Sequence, residues 1–137
     1  MNNDKIVEAA NILYNSRINL KKIKELPRDC TPQSFEEAYS IQDELKKKYL
    51  SANKKTVLIG KKIGCTNKAA QIQLNVKESF FGNMFSDNIS KSDSVIDSQK
   101  YFSPFVEPEF SFKMKNELNI SEAPFIAHLF VPPSGIR

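Results

Sequence analysis

Two glutamates stand two residues apart in an apolar, aromatic segment, FVEPEFSFKM at 105–114. The composition of this segment predicts a β-strand, and in a strand Glu107 and Glu109 share one face because successive side chains point to opposite faces. Two like charges side by side in a half-buried position persist only when a cation or a proton compensates them. Carboxylate oxygens are the ligands that Mg²⁺ and Mn²⁺ prefer. The pair therefore indicates either a divalent-metal site or a solvent-facing edge strand, which suits Pro108 because proline has no N–H to donate.

Two carboxylates seldom complete such a site. A third acid from elsewhere in the chain is therefore expected, with water or a bidentate substrate filling the remaining positions.

A lysine pair is the second chemical feature, at the end of an aliphatic segment in GKKIG at 60–64. The flanking glycines let the backbone turn and approach a ligand closely. Because Lys61 and Lys62 point to opposite faces of a strand, one of them is expected to point inward. There a lysine beside a metal holds a carboxylate substrate or takes part in proton transfer. The spacing alone also fits, and favours, a solvent-exposed pair at a strand end.

The composition sets the broad class of protein. A chain of 137 residues, of which 40% are hydrophobic and 26% charged, is typical of one globular domain. Its net charge of +4 comes from lysines interleaved with acids, which is typical of a solvated helix face and not of a nucleic-acid surface. An acid in the amino-terminal segment and the lack of a membrane-length apolar segment predict a cytoplasmic protein.

Two cysteines and one histidine have reactive side chains, but the sequence does not assign them to a site. Cys30 and Cys65 form no close metal-type pair, so both are predicted to be free thiols on small buried or half-buried side chains. His128 stands in an apolar segment with no partner at ligand spacing, which is typical of a half-buried histidine.

The first part of the chain predicts helices. Apolar residues at helical spacing predict a helix over 4–16, with Asp4 as its cap. Ser34, followed three residues later by a glutamate, has the pattern of a capping box. After it, an apolar stripe opposite charged residues predicts an amphipathic helix over 34–50 that packs its stripe against the core.

The second part predicts strands and loops. TVLIGKKIG at 56–64 predicts a strand that leads into a turn, and Asn67 is predicted to cap a short helix over 68–74. The segment 75–101 is rich in turn-forming residues and predicts mostly loop around a short apolar turn, FFGNMF at 80–85. With the glutamate strand after it, the fold class is α+β in a single domain over 1–137, helical over about 1–55 and β-rich over about 56–137.

Four segments together resemble the 2-keto-4-pentenoate hydratase group of the fumarylacetoacetate hydrolase family. That group shows a K-I-G-[LC]-T-S-like segment, a loop ending in F-G and a V-E-[AP]-E strand in the same order. The segments here are AYSIQ at 38–42, IGKKIGCTNKAAQIQLNV at 59–76, FFGNMF at 80–85 and VEPEFSF at 106–112. The resemblance runs from about Arg17 to Leu118.

The resemblance implies a fold and a set of roles. The fold is a group of amino-terminal helices followed by the first part of a mixed β-roll. Glu107 and Glu109 match the two glutamates that bind Mg²⁺ or Mn²⁺ in the family. Lys62 matches the lysine that lines the active site and is implicated in proton transfer.

The resemblance also implies a reaction. A 2-hydroxydienoate chelates the metal through its carboxylate and its 2-oxygen, and the metal stabilises enolate-like charge during tautomerisation. Water then adds to the conjugated double bond and gives a 4-hydroxy-2-oxo acid, in the breakdown of aromatic compounds. Close relatives instead remove carbon dioxide from a 2-oxo-3-enedioate, and the motifs do not separate the two reactions.

The chain departs from the family in length and in one ligand. Family members are about twice as long, and their second half supplies a third acidic ligand on a strand resembling P-A-I-E. If Val131 and Pro132 align with that strand, Gly135 stands in place of the ligand. We therefore expect a truncated chain that forms a homo-oligomer or depends on a partner chain supplying the carboxy-terminal half. A catalytically incomplete subunit and an edge-strand interaction module without metal are the alternatives.

Overall fold

The computed structural model describes residues 1–101 and 104–113. They belong to two compact units, of which the first comprises Met1–Ile63 and Phe81–Pro104. The second contains Gly64–Phe80 and the described residues from Phe105 onward. The helices and strands are α1 (Asn3–Ile18), α2 (Phe35–Ala52), β1 (Leu58–Gly64), α3 (Lys68–Gln73) and β2 (Phe80–Phe85). The predicted α+β class is confirmed, while the assignment of 1–137 to a single domain stays a prediction.

Helix α1 begins two residues earlier than a cap at Asp4 would place it. The side-chain oxygen of Asn2 accepts a hydrogen bond from the backbone N–H of Lys5 at 3.0 Å, so Asn2 is the cap. The prediction that Asp4 caps the helix is wrong. Asp4 lies inside the first turn, where its carboxylate faces the positive end of the helix dipole.

Helix α2 begins where the capping pattern predicts. Ser34 Oγ accepts a hydrogen bond from the N–H of Glu37 at 3.3 Å. The Glu37 carboxylate accepts the N–H of Gln33 at 2.7 Å and pairs with the amino group of Met1. The cap therefore satisfies N–H groups on both sides of the helix start, and the helix runs through to Ala52.

A small core lies between α1 and α2. Its fully or nearly fully buried members are Ala9, Ala10, Cys30 and Ile41. Small side chains on α1 let the helices approach closely, since interaxial distance depends on the side chains at the contact. The predicted amphipathic stripe of α2 is thus buried in part against α1. The partly buried residues packed against the core are Ile6, Leu13, Leu26 and Leu45.

Strands β1 and β2 pair in a two-stranded antiparallel sheet. The prediction that FFGNMF forms a turn inside a loop is wrong, because these residues are β2. Gly82 suggested a turn, but aromatic residues on both sides of it favour an extended strand. Phe85 at the end of β2 is buried, with its ring centroid 5.3 Å from that of Tyr49 on α2.

The glutamate segment is not a strand. Residues 104–113 have no regular secondary structure and are all exposed. The physical reason is that a strand exists only by pairing with a neighbouring backbone, and within the described ranges the sheet consists of β1 and β2 alone. Pro108 removes a further donor. His128 and the apolar segment 123–131 lie outside the described residues.

Two further observations concern membrane-spanning helices and the cysteines. Across 1–101 and 104–113 there is no helix with both the length and the apolar composition needed to cross a bilayer. Cys30 is buried and Cys65 is half-buried, and both are free thiols, as predicted.

Candidate active site

The sheet separates the two lysines of β1. The Lys61 ammonium donates a hydrogen bond to Asn83 Oδ1 and lies 4.5 Å from the centroid of the Phe81 ring. Phe81 and Asn83 are two residues apart on β2, so they share one face of the sheet with Lys61. Lys62 lies on the opposite face. The alternation predicted from the sequence is therefore present in β1.

Helix α2 contacts the face that carries Lys61 at Phe81, while Ile59 and Ile63, which share this face by alternation, stay exposed. The Tyr39 ring stacks on the Phe81 ring with centroids 4.5 Å apart and an interplanar angle of 16°. Partial burial lowers the pKa of Lys61, and the nearby Lys46 cation lowers it further, while the Asp43 carboxylate opposes both. Lys61 thus contacts Phe81 and Asn83 on β2 and lies within electrostatic reach of α2.

Among the described residues, the face that carries Lys62 is open at two glycines beside the lysine. Gly60 on β1 and Gly82 on β2 lie on this face by alternation, and a Cβ added at either position would meet no heavy atom within 4 Å. The Lys62 side chain is exposed. A planar ligand can therefore approach the backbone on both sides of Lys62, in agreement with the role that glycine has beside binding sites.

Gly64, the second glycine of GKKIG, has a different environment. A Cβ there would come within 3.0 Å of the Phe80 ring. The absence of a side chain at this position serves packing against an aromatic ring, so of the two glycines that flank the lysines only Gly60 opens onto free space.

The turn after β1 belongs to the second unit and is held by polar side chains. Cys65 has φ of 55°, in the left-handed region that a non-glycine residue seldom adopts. Its carbonyl accepts hydrogen bonds from the Gln71 amide at 2.9 Å and from the Ser79 hydroxyl at 3.1 Å. Gln71 is buried to 8% exposure. Sequence reasoning missed Gln71, and a polar residue amid the apolar positions of KAAQIQL was the available signal.

Glu107 and Glu109 also belong to the second unit and lie in its exposed irregular segment. Within the described part of the chain, His, Cys, Asp and Glu side chains do not come together in groups of three that would hold a metal ion. The assignment of these two glutamates as metal ligands stays a prediction, as does the catalytic assignment of Lys62.

Two polar residues of α2 contact β2 in a way that sequence reasoning missed. The Phe81 N–H donates to Tyr39 Oη at 3.3 Å, and the Gln42 side-chain amide donates to the Phe81 carbonyl at 2.9 Å. Both residues belong to the AYSIQ segment, one of the four that carry the family resemblance. From the sequence, the apolar residues of this segment are predicted to belong to the core only.

Comparison with known proteins identifies relatives of the chain. No protein-family model matches it. It is 31% identical over 114 residues to a 2-hydroxypent-2,4-dienoate hydratase of Pseudomonas putida, covering 82% of this chain and 50% of the relative. It is 33% identical over 116 residues to a 2-keto-4-pentenoate hydratase of Paraburkholderia xenovorans strain LB400, covering 84% and 42%. The chain is similar to 2-keto-4-pentenoate hydratases over more than four fifths of its own length. The resemblance predicted from the motifs is confirmed.

Decarboxylases are also among the similar proteins. A 4-oxalocrotonate decarboxylase of Pseudomonas sp. strain CF600 is 28% identical over 117 residues, covering 85% of this chain and 43% of the relative. The chain spans half or less of the length of each of these curated relatives.

A solved structure shares the fold. The 4-oxalocrotonate decarboxylase from Pseudomonas putida G7, complexed with calcium and acetate, superposes with a TM-score of 0.56 at 22% identity. The match covers 64% of this chain and 33% of that chain. The fold of the matched part of the chain is therefore that of the corresponding part of this structure.

Proposed function

We propose that the chain acts in a divalent-metal-dependent hydratase that adds water to 2-hydroxypenta-2,4-dienoate and forms a 4-hydroxy-2-oxo acid during the breakdown of aromatic compounds. The observation that carries the proposal is the similarity to two hydratases at 31% and 33% identity over more than four fifths of the chain. The open sheet face around Lys62 gives the proposal a place for a small planar acid.

Lys62 is the proposed proton-transfer residue. Its exposed ammonium stands on a face where Gly60 and Gly82 leave the backbone uncovered. A lysine in this position attracts the carboxylate of the substrate and delivers or accepts a proton at Nζ.

Glu107 and Glu109 are the proposed metal ligands. Their donor chemistry fits Mg²⁺ or Mn²⁺, since both offer hard carboxylate oxygens two residues apart in an exposed segment. A bound cation would supply stabilisation of enolate-like charge on the substrate. Support for a divalent metal comes from the calcium in the related decarboxylase structure.

Calorimetric titration with Mn²⁺ tests the metal assignment. We expect weak binding to the wild type, because two carboxylates leave most of the hydration shell of the cation in place. The double variant Glu107→Gln, Glu109→Gln should lose this binding. Glu78→Gln, a change at another exposed glutamate of the second unit, should leave it unaltered. Equal affinity in the wild type and the double variant would refute the assignment.

Decarboxylation of a 2-oxo-3-enedioate is the second candidate function. It is favoured by the 28% identity to a decarboxylase over 85% of the chain and by the fold shared with a decarboxylase structure. The two reactions are distinguished by following the dienoate chromophore for hydration and released carbon dioxide for decarboxylation. Carbon dioxide release without hydration would replace the first proposal by the second.

Assembly with further copies, or with a partner chain, is also proposed. Val106, Phe110 and Phe112 are 98%, 71% and 69% exposed, which is more apolar surface than a short segment normally leaves in water. Sedimentation of the purified chain should show self-association, or association when a partner chain is added. A monomer under all conditions would contradict this. A catalytically incomplete subunit would associate but show no turnover, and the cytoplasmic location stays a prediction.

A further inference from the structure

Two side chains of α2 form hydrogen bonds with the backbone of Phe81 on β2. Tyr39 Oη accepts its N–H at 3.3 Å, and the Gln42 amide donates to its carbonyl at 2.9 Å. In an antiparallel pair the residues alternate between bonding the neighbouring strand and presenting both backbone groups to the other edge. At Phe81 the helix occupies those two groups, in the place where a third strand would bind.

The side chain of Phe81 is fixed as well. The Tyr39 ring stacks on it at 4.5 Å, and the Lys61 ammonium lies 4.5 Å from its ring centroid. Lys61 is the residue before Lys62 on β1. A continuous set of contacts thus runs from α2 through Phe81 to the strand that carries Lys62.

We infer that Tyr39 and Gln42 are positioning residues that hold β2 at Phe81 and thereby set the place of Lys62 on the paired strand. The inference rests on the proposed function, since it assigns these residues a role at the same site. Both residues contact Phe81, so they act through it and are not catalytic residues. The next residue along β2 is Gly82, which lies on the face of Lys62.

Hydrogen-bond geometry favours this role over plain packing. A hydrophobic residue at position 42 would pack equally well against β2 but would leave a strand carbonyl without this donor. A phenylalanine at position 39 would keep the ring stacking and lose only the acceptor for the Phe81 N–H. The polar atoms of both side chains therefore define the position of the strand more narrowly than apolar contact does.

Four variants separate the polar contacts from packing. Tyr39→Phe removes the acceptor and keeps the ring. Gln42→Met removes the donor at similar length, and Gln42→Lys restores a donor. Ser40→Ala is the matched control, because the Ser40 hydroxyl donates to the Glu36 carbonyl at 2.8 Å within the same helix.

Three spectroscopic readouts and one kinetic readout are expected to respond. Tyr39→Phe should speed amide hydrogen exchange of Phe81 by about tenfold, the usual effect of one lost hydrogen bond. Gln42→Met should shift the ¹⁵N resonance of Gly82, whose nitrogen shares a peptide group with the Phe81 carbonyl, and the ¹³Cε resonance of Lys62. It should also lower kcat for dienoate hydration by about tenfold at unchanged KM. Gln42→Lys should reverse these changes, and Ser40→Ala should cause none.

The outcomes discriminate between the inference and the proposed function. Unchanged exchange at Phe81 together with an unchanged Gly82 resonance would overturn the inference. An unchanged Lys62 resonance, or full kcat in Gln42→Met, would also overturn it, since the strand would then be held without consequence for the site. Absence of turnover in the wild type would refute the proposed function alone, and the Lys62 resonance in Gln42→Met and Gln42→Lys would still decide the inference.

Discussion

Replacement of each lysine of β1 by methionine tests the assignment of the two sheet faces. Methionine keeps an unbranched apolar side chain and removes the ammonium, so Lys61→Met and Lys62→Met differ only in the face they change. We expect opposite outcomes. Lys62→Met should lose turnover and keep stability, while Lys61→Met should keep turnover and lose a little stability.

The expected magnitudes follow from the contacts of each lysine. Lys61 sits over the Phe81 ring and donates to Asn83, and in an exposed residue the cation–π contact and the hydrogen bond contribute about 0.5 kcal/mol each. Because desolvation lowers the pKa of Lys61, the charged form is disfavoured in the folded chain, and methionine regains part of this loss. The free energy of unfolding should therefore fall by less than about 1 kcal/mol. Lys62 is exposed, so its replacement should change stability by no more than about 0.5 kcal/mol.

Turnover should respond in the reverse order. A positioned proton-transfer group accelerates a reaction by about 10²–10⁴-fold, so Lys62→Met should lower kcat by at least about 100-fold. The assay is loss of the dienoate chromophore in the presence of Mg²⁺ or Mn²⁺, with urea unfolding on the same samples and Lys91→Met as an exposed loop control. Equal losses of turnover in Lys61→Met and Lys62→Met would reject the assignment of the faces, and a larger loss in Lys61→Met would reverse it.

Two further predictions concern the helical core. Ile41→Ala should lower the free energy of unfolding by about 2–3 kcal/mol. This is the lower end of the range for such truncations, because the surrounding apolar residues are only partly buried. Urea unfolding measures the loss, and a loss below that of Ile41→Val would contradict the core assignment. Burial raises the pKa of the Cys30 thiol, so the folded chain holds its proton to higher pH than the unfolded chain does. The associated stability is complete below the ordinary thiol pKa and falls as the pH rises through the higher folded value, a decline that urea midpoints should show above about pH 8.5 and that Cys30→Ala should remove.

The helices were predictable because their signals are local. Ser34 and the glutamate three residues later specify a helix start through hydrogen bonds within one turn, and Asn67 does the same for α3 by accepting the Ala70 N–H at 2.9 Å. The error at the first helix was a choice between two local caps. Asn2 is the cap because its side-chain oxygen accepts the backbone N–H of Lys5, three residues later, whereas Asp4 already lies within the helix.

The strands were less predictable because pairing is not local. FFGNMF becomes a strand by pairing with β1 and by packing on α2, and neither partner is visible in six residues. The glutamate segment has the composition of a strand, yet 104–113 is irregular among the described residues. Amino-acid composition indicates whether a segment can form a strand. The strand forms only where a partner strand is present to pair with it.

In the candidate site, too, local features were predictable from the sequence and contacts between distant residues were not. Residue types and alternation predicted that Lys61 and Lys62 occupy opposite faces, and this needs only the geometry of one strand. Which face the helix contacts depends on Tyr39 stacking on Phe81, a contact between residues that are far apart in the sequence. The stripe of α2 is divided between two partners: Ile41 is buried in the core with α1, while Tyr39 and Gln42 bind the edge of β2. Since one rigid helix fixes both partners, a substitution on α2 that disturbs Phe81 should be felt at the strand of Lys62 even though α2 lies on the opposite side of the sheet.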